Sequence, residues 1–456
     1  MKTSSPNNFA TSGWHQSYID GADHELQSNI WPRAKTLWMT AFYLALIIIR
    51  PWEIMLPWMN AYFPFQKTYA LITLVAVMLS ARTRFRMSTQ TSSVCLFAVS
   101  LGISGLMGQY SALAWEPYYA YLTVVFLYFI LVSVIRTPYD LVFMALSYIA
   151  IMFVYLLKSL WEFFVHGHCD YTMGVKRLIG IEHLYGSPNG LAGSIVHSLP
   201  ILYFLWVTRK YISAEWPGVY KKLLPWFLFI YLCLAGTSII LTNSRAGFVC
   251  ALLFLFLIVW EQGSVLKKIG YVIIAVLACS LLWTVMPESN KGRFRTIWSP
   301  ESGPASAEQS AKGRFAGFHA GVEIFQEFPT TGVGLGGFSR YREEAVDGST
   351  EKAHNLAGQL LGTTGLLGTV TFFIMIYTIF VNSRKTRKLS KGYDDPMLKS
   401  FFTMAQATRM MLVLLFFQGF FGHNMLRFNW LLVAAFSLLS LQLTQQYLDK
   451  RKQATL

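Results

Sequence analysis

Four basic residues carry the chemistry that this sequence can offer: His354, Arg177, Arg245 and Arg314. All four are predicted at or just above the outer ends of apolar segments, where a helical bundle can bring them together. Arginine presents a planar fork that binds phosphate through two hydrogen bonds and stays charged at every relevant pH. A neutral histidine can take a proton from an attacking sugar hydroxyl. Together the residues predict a cationic pocket that can hold a pyrophosphate, as anchor and leaving group, beside a base, without a metal.

Structural interpretations of the same residues stand beside this one. A histidine at the mouth of a helix often serves only as a hydrogen-bonding residue. Arginines next to a bilayer often bind only lipid headgroups, and this alternative applies to Arg177 and Arg245. Arg314 differs because it shares an apolar helical stripe with Phe318 and Phe325, where an arginine is expected to point inward and find a partner.

The acidic residues and cysteines do not form the patterns of a metal or redox site. No DxD occurs, and the outer carboxylates are spaced like a solvated loop face: Glu343, Glu344, Asp347 and Glu351. Four of the five cysteines lie inside apolar runs, and Cys169 has no partner in a neighbouring loop. We therefore expect no metal, no disulfide and no cofactor.

The composition is that of a membrane protein. Hydrophobic residues make up 54% of the 456 residues and charged residues only 13%, which is not a soluble composition. A net charge of +15 would suggest nucleic acid as the partner of a soluble protein. Here, however, Lys and Arg lie mainly in short loops between apolar runs, which indicates membrane topology and membrane lipid as a partner, and no nucleic acid.

Runs of about 20 apolar residues, enough to cross a hydrocarbon core of about 30 Å, recur along the chain. They predict an all-α integral membrane protein with twelve transmembrane helices, of which the second and eighth are short for a straight crossing. The predicted spans are 37–55, 68–81, 92–107, 117–135, 140–165, 189–207, 223–241, 246–260, 266–286, 355–381, 403–421 and 428–447.

The basic residues predict the orientation of these spans. If the N-terminus is inside and successive helices cross in opposite directions, every inside segment is rich in Lys and Arg. The short outer loops carry these residues singly or in one pair. Both termini are therefore expected in the cytoplasm. The predicted parts are a cytoplasmic tail (1–36), helices 1 to 9 (37–286), a long outer loop (287–353), helices 10 to 12 (354–447) and a cytoplasmic tail (448–456).

The outer loop is too long to be a simple connection and is the expected place for function. Its segment 306–328 has helical periodicity and is ended by Pro329. The glycine-rich segment 330–338 predicts a turn that either approaches a ligand closely or serves only as structure. The apolar stripe that we expect to face inward consists of Phe315, Phe318, Val322 and Phe325, with Arg314 among them.

The segment HNLAGQLLGTTGLLG joins His354 and Asn355 to Gly365 and Gly368 at a spacing that resembles the signature of the O-antigen ligase family. Further segments are similar to recurring parts of the wider superfamily, which also contains O-antigen polymerases and bacterial O-oligosaccharyltransferases. These segments are 177–193, 242–248 and 313–338. The first five predicted helices are recognisable only as membrane spans.

The resemblance implies an activity, a location and partners. Such enzymes move a glycan en bloc from undecaprenyl pyrophosphate to lipid A-core at the periplasmic face of the cell inner membrane, during lipopolysaccharide biosynthesis, without metal or nucleotide sugar. His354 matches the family's catalytic histidine, and Arg314 is expected to act with it. The remaining expected roles are phosphate binding, of the pyrophosphate or of lipid A-core, by Arg177, Arg245 and Arg314, and support by Asn355, Gly365 and Gly368.

Other functions stay open at this point. An O-antigen polymerase would use the same donor with a second lipid-linked glycan as acceptor, and a protein O-oligosaccharyltransferase would use Ser or Thr. The glycine-spaced His-Asn motif favours the ligase. A polytopic lipid or glycan transporter is the alternative from a different class, but neither an internal repeat nor a matching pair of interrupted helices is visible in the sequence.

Overall fold

The structure is a computed structural model that describes residues 31–32, 34–52, 64–83, 85, 87–172, 175–181, 186–285, 288–295 and 306–454. These residues are mostly helical. A short antiparallel pair of strands, β1 (Asp170–Thr172) and β2 (Val175–Arg177), is an exception to the predicted all-α fold. The helices are α1 (Lys35–Ile49), α2 (Phe65–Leu79), α3 (Thr89–Met107), α4 (Ser111–Val134), α5 (Pro138–Val165), α6 (Pro188–Ile212), α7 (Gly218–Leu241), α8 (Arg245–Glu261), α9 (Val265–Val285), α10 (Glu288–Arg295), α11 (Ser306–Glu327), α12 (Phe338–Tyr341), a π-helical turn (Arg342–Val346), α13 (Leu356–Ser390), α14 (Pro396–Gly419) and α15 (Phe428–Ala454).

The predicted membrane spans each coincide with a helix, from α1 to α9 and from α13 to α15. Within the described residues, 8 helices are long and apolar enough to cross a membrane: α3 to α7 and α13 to α15. Helices α1 and α2 have 15 residues each and α8 has 17, so at about 1.5 Å per residue they fall short of a hydrocarbon core of about 30 Å. A multi-pass membrane protein is thus supported, and the number twelve stays a prediction.

Local capping sets where three helices begin at one end of the bundle. Ser187, Ser244 and Asn355 precede α6, α8 and α13, and their side-chain oxygens accept hydrogen bonds of 3.0, 3.1 and 2.6 Å from Gly190, Gly247 and Gly358. Each bond satisfies a backbone N–H that the first helical turn leaves free. The predicted topology assigns all three helix starts to the outer side.

Ion pairs join the helices at the opposite end. Glu261, at the end of α8, lies 2.7 Å from Arg387 in α13 and 3.4 Å from Arg409 in α14. Arg82 lies 2.8 Å from Asp140, which is also part of the capping box of α5. The capped helix starts and the ion pairs thus lie at opposite ends of the bundle, as expected if successive helices cross the membrane in opposite directions. Arg409 pairs with the buried carboxylate of Glu261.

Two predicted boundaries differ from the structure. Helix α13 continues to Ser390 and α15 to Ala454, so most of the basic segment after span 10 and of the C-terminal tail is helical. Lys and Arg end an apolar run but are good helix formers, and they are favourable near a helix C-terminus. Most of the predicted tail 1–36 lies outside the described residues.

Candidate active site

Helix α13 is interrupted in its N-terminal half at Gly365, whose φ of 56° and ψ of −155° are not helical. The interruption leaves backbone groups on both sides without helical partners. The glycine-rich segment supplies them: Val333 and Gly334 donate to the carbonyls of Gly362 and Thr363 at 3.0 and 3.1 Å. In return, the amides of Leu366 and Leu367 donate to the carbonyls of Pro329 and Thr330 at 2.8 and 3.0 Å.

This exchange decides the role of the glycine-rich turn. A Cβ on Gly332, which has a φ of 64°, would lie 2.5 Å from a backbone atom of Thr363, and one on Gly365 would lie 2.6 Å from Thr330. Only glycine fits both the backbone angles and the close approach. Of the two interpretations of segment 330–338, the structure favours the structural one: the peptide groups of its first half bind α13. The backbone groups of α13 that the interruption leaves without helical partners are thus hydrogen-bonded by the chain itself.

Helix α11 packs against α13 through glycines on both helices. A Cβ on Gly321 would lie 2.5 Å from the backbone of Gly358, and one on Gly358 would lie 2.7 Å from the carbonyl of Gly317. Both helices carry two glycines four residues apart, a spacing that lets helix backbones approach closely. The outer loop is thereby fixed directly beside the start of α13.

The expectation that the phenylalanine stripe of α11 faces inward is wrong. The buried face consists of Gly317, Ala320, Gly321 and Ile324. Phe315 is 69% exposed and Phe318 38% exposed. The reason is that close backbone contact requires small residues, so the large rings lie to the side of the packed face.

His354 immediately precedes α13 in a strained backbone conformation. Its φ is 52°, in the left-handed region that few non-glycine residues occupy. The next residue fixes this turn: Asn355 caps α13 and donates through Nδ2 to the carbonyls of Arg314 and Ala353 at 3.1 and 2.8 Å. Asn355 therefore ties the backbone at His354 to the backbone at Arg314. Strain held in place by such bonds is common at functional sites.

The imidazole of His354 has two neighbours that the sequence interpretation did not assign to it. Nε2 lies 2.8 Å from a carboxylate oxygen of Glu351, and the ring lies 5.6 Å from the ring of His423, centroid to centroid. An ionised carboxylate can only accept, so the proton of a neutral His354 lies on Nε2. The other nitrogen, Nδ1, then has the lone pair of a base.

Arg314 lies beside Arg245 at the same end of the bundle. Its guanidinium carbon is 5.7 Å from the ring centroid of Phe421, a cation–π distance. Burial lowers the pKa of the half-buried Arg314, and the nearby positive charge of Arg245 lowers it further. The two guanidinium groups therefore contribute positive potential to the same region, which favours binding of an anion there.

Arg177 occupies a different environment. Its side chain is buried, donates to the carbonyl of Thr242 at 3.1 Å and pairs with Asp170 at 3.3 Å. Asn189, 3.4 Å from Arg177, also accepts a 2.7 Å hydrogen bond from Ser244, the cap of α8. Arg177 thus supports the turn that leads into Arg245. Contact of Arg177 itself with substrate stays a prediction.

The carboxylates of the outer loop are not simply a solvated face. Asp347 binds Arg342 at 2.6 Å, Glu344 hydrogen-bonds Tyr110, and Glu351 binds His354. In the sequence, the only indication of the contact between Glu351 and His354 is that the glutamate lies three residues before the histidine. No group of three or more His, Cys, Asp or Glu side chains suited to a metal is found among the described residues.

The geometry agrees with the comparison with known families. A model of the O-antigen ligase family matches residues 227–373. This segment includes Arg245, Arg314, His354 and both glycines of the motif, and its match confirms the resemblance to the O-antigen ligase superfamily. It does not include Arg177. No curated protein matches the chain at a significant level.

Proposed function

We propose that this protein is an O-antigen ligase, a metal-independent glycosyltransferase that moves a glycan from undecaprenyl pyrophosphate to lipid A-core at the periplasmic face of the inner membrane. One observation carries the proposal. A strained histidine with an oriented imidazole precedes α13 and is bonded through Asn355 to the segment that holds Arg314.

The arginine pair suits the donor. A pyrophosphate that leaves from a sugar carries developing negative charge, and the guanidinium groups of Arg314 and Arg245 can bind it in two places each. Phe315 follows Arg314 directly, and Phe420 precedes Phe421, the ring that Arg314 contacts. Both Phe315 and Phe420 are 69% exposed and offer an apolar surface to a lipid. A lipid-linked pyrophosphate needs both features side by side.

The histidine suits the acceptor. In the proposed step, the acceptor hydroxyl oxygen forms a bond to the anomeric carbon while the bond from that carbon to the pyrophosphate oxygen breaks. The electron pair leaves with undecaprenyl pyrophosphate, and Nδ1 of His354 takes the hydroxyl proton. Glu351 holds Nε2 and stabilises the imidazolium that forms. Such a direct displacement inverts the anomeric centre.

A strain deleted for this gene tests the function through the gel pattern of its lipopolysaccharide. We expect the loss of all glycan-capped species together with accumulation of lipid-linked polymer, both reversed by the wild-type gene. Caps of a single repeat unit would instead indicate a polymerase. An unchanged pattern would exclude both activities.

Glu351→Ala is expected to lower kcat about fivefold with little change in either KM, because both side chains of this pair are exposed and such pairs contribute at most about 1 kcal/mol. Glu351→Gln keeps an acceptor oxygen for Nε2 and should retain more activity than the alanine variant. The measurement is steady-state transfer by the purified protein. Glu343→Ala, in the same loop and paired with Arg340 at 3.4 Å, is the matched control. Equal effects of the Glu343 and Glu351 variants would contradict an orienting role.

A further inference from the structure

A further set of basic residues lies around His423, in addition to Arg245 and Arg314. Arg427 belongs to the same turn as His423, between α14 and α15, and Lys352 precedes His354 by two residues. The rings of His354 and His423 are 5.6 Å apart, centroid to centroid. The candidate base therefore contacts the turn that carries His423 and Arg427.

The turn that carries His423 and Arg427 is held rigidly. Asn424 donates to the carbonyl of Leu415 at 2.8 Å and accepts through its own carbonyl from Trp430 at 2.9 Å. The amide of Met425 donates to Gln359 in α13 at 3.2 Å. A turn fixed in this way to three helices places its charged groups before any ligand binds, which lowers the entropic cost of binding.

Arg427 and His423 lie on the same turn. Arg427 donates through Nη1 to Ser194 of α6 at 3.2 Å. Nδ1 of His423 is buried and has no hydrogen-bond partner among the described residues. Burial lowers the pKa of His423 to about 3, and Lys352, His354 and Arg427 contribute to the lowering. His423 thus stays neutral, with a ring nitrogen available to a ligand.

We propose that Lys352, Arg427 and His423 form an acceptor subsite that binds a phosphate group of lipid A-core beside His354. The proposal rests on the proposed function, since it names how the second substrate of that reaction is held. Direct transfer between two anionic lipids requires two anion sites with the base between donor and acceptor. We assign Arg314 and Arg245 to the donor, and Lys352, which is exposed, with Arg427 and His423 to the acceptor.

The test compares lipid A-core with the same acceptor after enzymatic removal of its phosphates, using the full-length protein and one donor. Lys352→Gln and Arg427→Gln should each raise KM for the phosphorylated acceptor about tenfold, with the donor KM unchanged, because charge-assisted hydrogen bonds are lost. Against the dephosphorylated acceptor the variants and the wild type should have similar KM values. Arg340→Gln, which removes an exposed outer-loop cation paired with Glu343 and Glu344, is the matched control.

The possible results separate the proposals. If wild-type protein transfers no glycan to lipid A-core, the proposed function fails and the subsite fails with it. If transfer occurs but the variants lose affinity equally for both acceptors, these cations bind membrane phospholipid or serve the fold, and only the subsite is overturned. A rise in donor KM would also overturn it, by assigning the cations to the pyrophosphate. Because Lys352 is exposed, its variant is expected to fold even if the Arg427 variant does not.

Discussion

Replacing His354 by alanine is expected to lower the transfer rate by about 10²- to 10⁴-fold while donor binding stays near that of the wild type. The range is that of lost general-base catalysis. The side chain is directed to Glu351 and His423, whereas the proposed donor-binding residues are Arg314 and Arg245. The measurements are single-turnover transfer and equilibrium binding of the lipid-linked donor to purified protein.

A second variant, His354→Asn, separates loss of the imidazole from loss of stability caused by backbone strain. The φ of 52° at His354 is tolerated better by asparagine than by alanine. His354→Asn should therefore be as inactive as His354→Ala but closer to the wild type in thermal stability. The matched control is His166→Ala, because His166 also binds a carboxylate, Glu162, at 2.7 Å. Near-normal transfer by His354→Asn would reduce His354 to a structural role.

The sequence predicts those parts of this fold that depend on local pattern. The length of the apolar runs predicts the helices. Basic residues predict the cytoplasmic ends of the helices, and two of them, Arg387 and Arg409, pair with Glu261. Pro329 was expected to end the helical segment 306–328, and α11 ends at Glu327. Each of these features is decided within a few residues of the chain, so periodicity and capping rules suffice.

The packed face of α11 could not be predicted from hydrophobicity. The apolar stripe suggested that Phe315 and Phe318 are inside, yet Gly317 and Gly321 form the contact with α13. Both faces are plausible on one helix considered alone. Which one is buried depends on the matching glycines of α13, about 40 residues further on, and a single helix pattern has no information about that partner.

The neighbours of His354 depend on contacts between distant segments. Glu351 reaches the ring because the backbone turns through a left-handed conformation at His354, and His423 arrives from the turn between α14 and α15. Arg177 shows the converse case. Its residue type suggested phosphate binding, which stays a prediction. The structure adds that its side chain binds Asp170, with which it is paired in the small sheet, and the carbonyl of Thr242. Residue type indicates the chemistry that a site can perform, and the partners decide which role is taken.

Arg314→Lys is expected to weaken donor binding about 10- to 100-fold although the charge is kept. An ammonium group cannot form the two parallel hydrogen bonds that a guanidinium forms with a phosphate, and bonds to charged groups contribute about 1.5–3 kcal/mol. Lysine also loses the planar contact with Phe421, 5.7 Å from the guanidinium carbon. The measurement is the Kd of undecaprenyl-pyrophosphate-linked glycan, with transfer assayed at saturating donor.

The comparison with His354 variants makes this prediction specific. Arg314 variants should lose donor affinity, and His354 variants should lose rate with donor affinity retained, because one residue binds the leaving group and the other takes the proton. Arg340→Lys, which changes an exposed arginine of the same outer loop, should leave both quantities unchanged. If Arg314→Lys bound donor normally but transferred slowly, Arg314 would act only on the charge that develops in the transition state, and the donor site would have to be assigned to Arg245.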